Sequence, residues 1–426
     1  MNLTQLPAKV EEVVSSLLTD TTPEMKNSFR NLLIELFSLT LEMPEKLNYT
    51  QLGRLGRHDE KTYRTAFGKQ VDWSSIDEDA IFKVFKRNDH MSIVIDPSFL
   101  QKSGKCTPCT GLYWSGVSGS MRHGLEINAI GVADVEAHDC MVLSAPLTPP
   151  KELLKENGVN LRKWYLITII SEYERLMKIS NRVTADAFFA TRDFCDGLAS
   201  VGMHLVSRLH GNACLRYIHD CSGNQSGKRG RPMKYDGQVD VHNPDMSVFR
   251  RFEVNDGHCL TATLNSRALG RDIVVTVFYP KNGGKPLIYF SSDLSLTGEI
   301  VIEFYRLRFQ IEFCIRDAKQ YMGLGQSQSR KYRAMGFAAN LSFAALNVAK
   351  PVIHKENLGI SIGQLHLIMM FLATANRLNS RYAEQPTSRK IAEWWKNRSR
   401  LGQCAGADWD TFDAAKLMIF SETIAF

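Results

Sequence analysis

Residues 304–319 read FYRLRFQIEFCIRDAK. Within it Tyr305, Arg308, Glu312 and Lys319 stand at offsets of 0, 3, 7 and 14. On one helix turning about 100° per residue, these offsets gather into a stripe roughly 60° wide. A carboxylate flanked by two cations and a phenol is a suitable set for holding a metal ion against a phosphate. The apolar residues Leu307, Ile311, Cys314, Ile315 and Ala318 gather on an adjoining face. The charged stripe therefore borders the core, where a merely solvated face would oppose it.

The Tyr-x2-Arg-x3-Glu-x6-Lys spacing resembles the Tyr-Arg-Glu-Lys signature of bacterial insertion-sequence transposases, the insertion-sequence-four family of DDE enzymes. The resemblance implies an α/β fold: an RNase H-like mixed sheet flanked by helices, with a β-rich insertion and a helical N-terminal DNA-binding domain. It makes Glu312 the third catalytic carboxylate and calls for two aspartates upstream, each at a strand end. It also implies two Mg2+ ions per site, with Mn2+ as a substitute, held by those three carboxylates. Tyr305, Arg308 and Lys319 then serve phosphate binding. The implied partners are double-stranded DNA, as transposon ends and target, and a second copy of the chain in the synaptic complex.

The first candidate aspartate is Asp96. Residues 90–96 form a run rich in Ile and Val that breaks at Asp96-Pro97, as a buried strand stopping at its carboxyl end does. A Gly/Ser/Thr/Lys-rich turn and a second strand pattern, GLEINAIGVADV, follow. Local sequence equally allows Asp96 to cap a turn before proline. The second candidate is Asp186, after the strand-like residues 182–185 and before a helix over residues 191–201 and a strand over 203–208. A carboxylate at a strand end before a β-α-β crossover stands where open α/β sheets place ligands. Taken alone, Asp186 reads equally as a helix cap. Asp193 is a rival in the same loop, at an ordinary acidic helix start.

The order Asp96, Asp186, Glu312 leaves a long second gap, which makes room for an insertion over residues 211–290. Its first part is rich in Gly, Pro, Asn and basic residues. Four short strand patterns follow (FRRFEV, CLTATL, DIVVTVFY, PLIYFSS), spaced as in an antiparallel sheet. Some relatives stack a flipped base on a Trp of this insertion. No Trp stands here, so any such role falls to a Tyr or Phe.

Residues 1–88 read as a helical unit. After Pro44 comes a helix, a tight turn at Gly56 and a second helix over residues 59–67. This is the outline of a helix-turn-helix offering Lys61, Thr62, Arg64 and Thr65 to a major groove; the plain alternative is a helical hairpin with a cationic surface. Arg229-Gly230-Arg231-Pro232 resembles the AT-hook core of a minor-groove binder, or is a solvated loop whose cations meet phosphates. Residues 329–353 read as a long, mostly buried helix packed on the sheet. Residues 353–426 form a helical tail carrying Trp394 and Trp395, suited to core packing or a subunit contact.

Composition sets the bounds. The 426 residues are 44% hydrophobic with net charge +7, room for two or three domains and a mild basicity compatible with nucleic acid. No apolar run suits a membrane span, and the N-terminus lacks a signal-peptide pattern, which points to the cytoplasm; the resemblance further implies a bacterial protein associated with the nucleoid. Nine scattered cysteines fit reduced thiols. Cys106 and Cys109 have Cys-x2-Cys spacing but only His123 nearby, so the pair reads as incidental to a turn and not as zinc. The expectation is a cut-and-paste transposase with core segments at 89–210 and 291–352. The rivals are an RNase H-fold nuclease without strand transfer and a non-catalytic DNA-binding relative.

Overall fold

The computed structural model describes residues 3–43, 46–104, 107–219 and 233–381. The chain divides into two compact units, one of Ile81–Arg316 and one of Met1–Ala80 with Asp317–Phe426.

In chain order the helical unit opens with α1 (Leu6–Thr21), α2 (Asn27–Glu42), α3 (Tyr49–Leu55) and α4 (Glu60–Ala66), and α5 (Trp73–Phe82) leads out of it. The second unit holds β1 (Met91–Gln101), β2 (Gly111–Ser115), β3 (Ser120–Asp134) and β4 (Asp139–Ser144). Then come α6 (Lys151–Glu156), α7 (Leu161–Ile170), α8 (Tyr173–Met177), β5 (Arg182–Thr184), α9 (Arg192–Ala199) and β6 (His204–Leu209). The strands β7 (Leu215–Ile218), β8 (Tyr235–Gln238), β9 (Arg250–Val254), β10 (Gly257–Ser266), β11 (Arg271–Pro280) and β12 (Leu287–Ser291) follow. The chain returns through α10 (Gly298–Leu307) and α11 (Gln310–Tyr321) to α12 (Tyr332–Lys355) and α13 (Ile362–Arg381).

Twelve strands make one mixed sheet, ordered β2-β3-β1-β5-β6-β12-β11-β10-β7-β8, with β4 beside β3 and β9 beside β10. The central strands β1, β5 and β6 are parallel, and β3 and β12 flank them antiparallel. This large mixed sheet with helices packed on it is compatible with an RNase H-like DDE domain. The strands of residues 211–290 join the same sheet, because β12 pairs with β6 and carries β11 and β10 alongside.

Two expectations change. The strand expected to stop at Asp96 runs on to Gln101, pairing with β3 through Pro97↔Asn128. Pro97 is tolerated because β5 pairs only Ile93 and Val94, so no ladder partner needs the missing N–H on that side. The stretch GLEINAIGVADV, read as alternating, is buried without a break from Gly124 to Asp134, since β3 has protein on both faces.

In the helical unit, α12 is buried along most of its length and packs with α1, α2 and α13. Asp77 is fully buried there and accepts a 2.8 Å hydrogen bond from Asn347 on α12; burial outweighs that bond and holds its carboxyl well above the usual range. The turn between α3 and α4 is fixed from inside: Tyr63 donates to buried Glu35 at 2.8 Å. A side chain at Gly56 would lie 1.9 Å from the Tyr63 hydroxyl, so the turn requires a residue without one. Trp394 and Trp395 lie outside the described residues.

The α10 helix starts tight against the sheet. A Cβ on Gly298 would lie 2.5 Å from Thr261 Oγ1 and 2.9 Å from Thr276 Oγ1, and Thr276 donates to the Gly298 carbonyl at 3.2 Å. Behind this contact Val301, Ile302 and Phe304 pack onto Val206, Val274 and Tyr289. Gly298→Ala should therefore lift the start of α10 and cost about 1–3 kcal/mol in urea unfolding, the usual range for overpacking. An unchanged unfolding midpoint would show that the helix rides free of the strands.

Candidate active site

The parallel registers bring the candidate aspartates together. The last β1–β5 pair is Val94↔Thr184, and β5 continues onto β6 through Thr184↔Val206. Asp96, Asp186 and Arg208 each stand two residues beyond their strand's member of that row. Side chains alternate with period two, so all three project from the same face, Asp186 and Arg208 where their strands end and Asp96 midway along β1. The row extends across the antiparallel neighbours through Asp96↔Ala129 and Arg208↔Tyr289.

Asp186 is held by its backbone. Its φ of −71° and ψ of 176° continue the extended strand, Ser207 Oγ donates to its carbonyl at 2.8 Å, and Ala185 N–H donates to Val206. Its Oδ1 also accepts from Phe188 N–H at 3.0 Å, so the capping role and the strand-end placement coexist. Asp193 sits in the first turn of α9, as expected of an acid at a helix start.

Residues 304–319 do not form one helix. The two helices, α10 and α11, meet at Arg308 and Phe309, where Phe309 N–H donates to Arg306, Ile311 to Arg308 and Glu312 to Phe309. These i→i+3 bonds tighten the chain between the helices, so the continuous stripe is interrupted. Tyr305 ends up in the last turn of α10, Glu312 in the first turn of α11 and Lys319 in its last. The apolar face is as expected, with Leu307, Ile311, Cys314, Ile315 and Ala318 all buried.

The break turns Arg308 toward the strand ends. Its side chain is 15% exposed, with Nη2 3.1 Å from Glu312 Oε1 and Nη1 3.7 Å from Asp96 Oδ1. Burial by itself lowers its pKa, but Asp96, Tyr305, Glu312 and Asp186, in that order, outweigh burial and hold it above the ordinary arginine value. One guanidinium thus feels all three carboxylates. Its Nε is buried without a hydrogen-bond partner, so its binding capacity is not spent. The Tyr305 ring lies 4.7 Å from that of Tyr289 and 5.8 Å from the guanidinium, which ties α10 to the row on the sheet.

These donors suit a hard divalent cation. All are carboxylate oxygens, partly open to solvent (24% for the Asp96 side chain, 39% for Glu312), and their field already draws in a cation. Among the described residues no three acidic, His or Cys side chains close into a ligand cage as they stand. Arg308 lies between two of them, as a counter-charge to both.

Nothing in the sequence pattern singles out Arg208, and Tyr289 stands there only as one of several aromatic residues of the 211–290 segment suited to base stacking. Arg208 is exposed in an otherwise buried strand, a break in an apolar run that carries no meaning until the register sets it beside Asp186. Lys61 and Arg64 lie on α4, whose start is capped by Asp59 accepting from Thr62 N–H at 2.8 Å. Arg64 pairs with Glu60 and lies 4.7 Å over the Tyr49 ring. Arg229, Arg231 and Cys106 lie outside the described residues, and Cys109 is a free thiol at a φ of 62°.

Removing the guanidinium leaves Asp96 and Glu312 without their shared counter-charge. Arg308→Ala should cost about 1–3 kcal/mol, the usual penalty for unpairing partly buried polar groups. Added Mg2+ should then raise the Tm of this variant more than that of the parent. Equal Mg2+ responses in thermal unfolding would count against a cation site between these carboxylates.

Residues 165–348 match the family described as the transposase DDE domain. The match takes in Asp186, Arg208, Tyr305, Arg308, Glu312 and Lys319, while Asp96 lies upstream of it. No curated protein matches the chain. Among the described residues no helix is long and apolar enough to cross a membrane. The matched segment supports a DDE transposase, an enzyme acting on DNA.

Proposed function

We propose that this protein is a cut-and-paste transposase of the insertion-sequence-four type. In this reading it binds the terminal inverted repeats of its own insertion sequence, cleaves the ends and transfers the freed 3′-OH to target DNA. The observation that carries the proposal is the gathering of Asp96, Asp186 and Glu312 around Arg308, on one face of a sheet whose later part matches a transposase DDE domain.

Asp96, Asp186 and Glu312 would hold two Mg2+ ions, or Mn2+ in their place. Such ions activate an attacking oxygen and neutralise a leaving oxygen in phosphoryl transfer. The chain's own groups do the rest. Arg308 exchanges carboxylate partners for a phosphate oxygen, and the exchange is mild because its charge stays matched throughout. Tyr305 donates its hydroxyl to the same phosphate. Arg208, exposed in the row beside Asp186, meets the next phosphate along the strand. Lys319 extends phosphate binding along α11. Lys61 and Arg64 on α4 grip the duplex of the terminal repeat, and Arg229 and Arg231 add contacts from the insertion. Two copies of the chain pair two ends.

Chemistry and binding separate in this scheme. Glu312→Gln keeps side-chain shape while removing a charge, so gel-shift binding of the flanking inverted repeat should survive while cleavage falls by orders of magnitude. Lys61→Ala with Arg64→Ala should do the reverse, weakening binding and making its salt dependence shallower. Normal cleavage by Glu312→Gln in Mg2+ would remove the carboxylate from the chemistry.

Joining distinguishes a transposase from a nuclease on the same fold. Given pre-cut end DNA and Mg2+, the protein should attach that end covalently to a second duplex, and Arg308→Ala should impair joining at least as much as cleavage. If pre-cut ends are bound tightly yet only hydrolysed products form, the nuclease reading holds.

A further inference from the structure

The sheet carries one conspicuous apolar surface in the open. Past Asp96, β2 and β3 extend as a two-stranded ribbon with Tyr113↔Arg122 and Trp114↔Met121 paired across it. Leu112 is 58% exposed, Trp114 59%, Met121 44% and Val117, at the tip, fully exposed. The ribbon is firmly rooted: Tyr113, next to Trp114, is buried and donates its hydroxyl to the Thr148 carbonyl at 2.9 Å. An ordered strand that buries one aromatic ring and presents the next to solvent is an unusual use of apolar area in a soluble unit.

The register shows which way this surface looks. Asp96 pairs with Ala129 on β3, and Met121 and His123 lie an even number of residues from Ala129 along the same strand. Their cross-strand partners Trp114 and Leu112 therefore share the sheet face from which Asp96 projects. Charge favours one occupant. From Asp96 to Glu126 the chain contains no carboxylate, Lys102 follows β1, and Arg122 stands on the ribbon's other face. An aromatic and apolar surface that excludes acids and continues the face of Asp96 suits a polyanion that has flat apolar groups, which describes nucleic acid.

We infer that this ribbon lies in a groove of the same DNA duplex whose end is held at Asp96, with Trp114 and Val117 against the bases. The inference rests on the reading of the substrate as DNA. From Ala129 to Met121 the strand rises about 27 Å at roughly 3.4 Å per residue. That span corresponds to about eight base pairs of duplex. A two-stranded ribbon is narrow enough to enter a groove, and apolar side chains at its tip can wedge between base steps.

The test uses the full-length protein and a duplex ending in the inverted repeat that flanks the coding sequence. Trp114 is exposed, so Trp114→Ala should leave the Tm unchanged. It should bind the duplex about tenfold more weakly, the usual loss for one base–aromatic contact. Its footprint should lose protection at the predicted distance from the cleaved end, and Trp114→Phe should restore most of both. Parental affinity and footprint for Trp114→Ala would overturn the ribbon contact while leaving the transposase reading standing. A parental footprint combined with a shift from dimer to monomer would assign the face to a second copy of the chain and likewise overturn it. Failure of the parent to bind the repeat at all would remove both readings.

Discussion

The parallel pairing of β1 with β5, and of β5 with β6, is the constraint on which the rest of the site depends. Only two residue pairs join β1 to β5, Ile93↔Val183 and Val94↔Thr184. That short contact fixes the level at which both strands end their shared ladder. A slip of one residue would turn Asp96 or Asp186 to the other face. The neighbouring strands guard against it: β1 is locked to β3 over eleven pairs, and β5 to β6 by three more. Buried hydroxyls add a further lock, with Ser92 and Thr184 2.6 Å apart across the β1–β5 seam.

Onto this row the return segment brings its charges. The α10 helix is seated by the close approach of Gly298 to Thr261 and Thr276 and by the packing of Phe304 and its neighbours on the sheet. Had the helix continued through Arg308, that guanidinium would lie on a helix flank. The tight turn at Arg308 and Phe309 instead directs it between Asp96 and Glu312. Three carboxylates near one another are costly without a counter-charge, and a largely buried arginine supplies it with little loss of hydration relative to lysine. The same geometry leaves the site electrostatically ready for other cations and for phosphate.

The insertion strands contribute differently from a separate module. Because β12 pairs with β6, residues of the 211–290 segment complete the row on the face of Asp96 and Asp186: Tyr289 lies opposite Arg208 and against Tyr305. Burial and the nearby Tyr305 hold the Tyr289 hydroxyl above its ordinary pKa, so it remains a neutral donor at working pH.

The sequence by itself determined the local features. The apolar face around Ile311, the end of the strand before Asp186, the two short helices either side of Gly56 and the strand pattern of residues 250–291 were all legible. These follow from propensity, periodicity and breaker residues acting over a few positions. The end of β1 was misread because Pro97 breaks a strand only where its N–H is wanted, and that depends on how far β5 extends. The break at Arg308 was missed because its residues are ordinary helix formers, and tertiary packing of the two helices decides the turn. Arg208 could not be found by pattern, since its place beside Asp186 is a matter of register between strands. Only the tertiary structure decided which charges meet, because strand pairing and helix docking join residues that no local spacing relates.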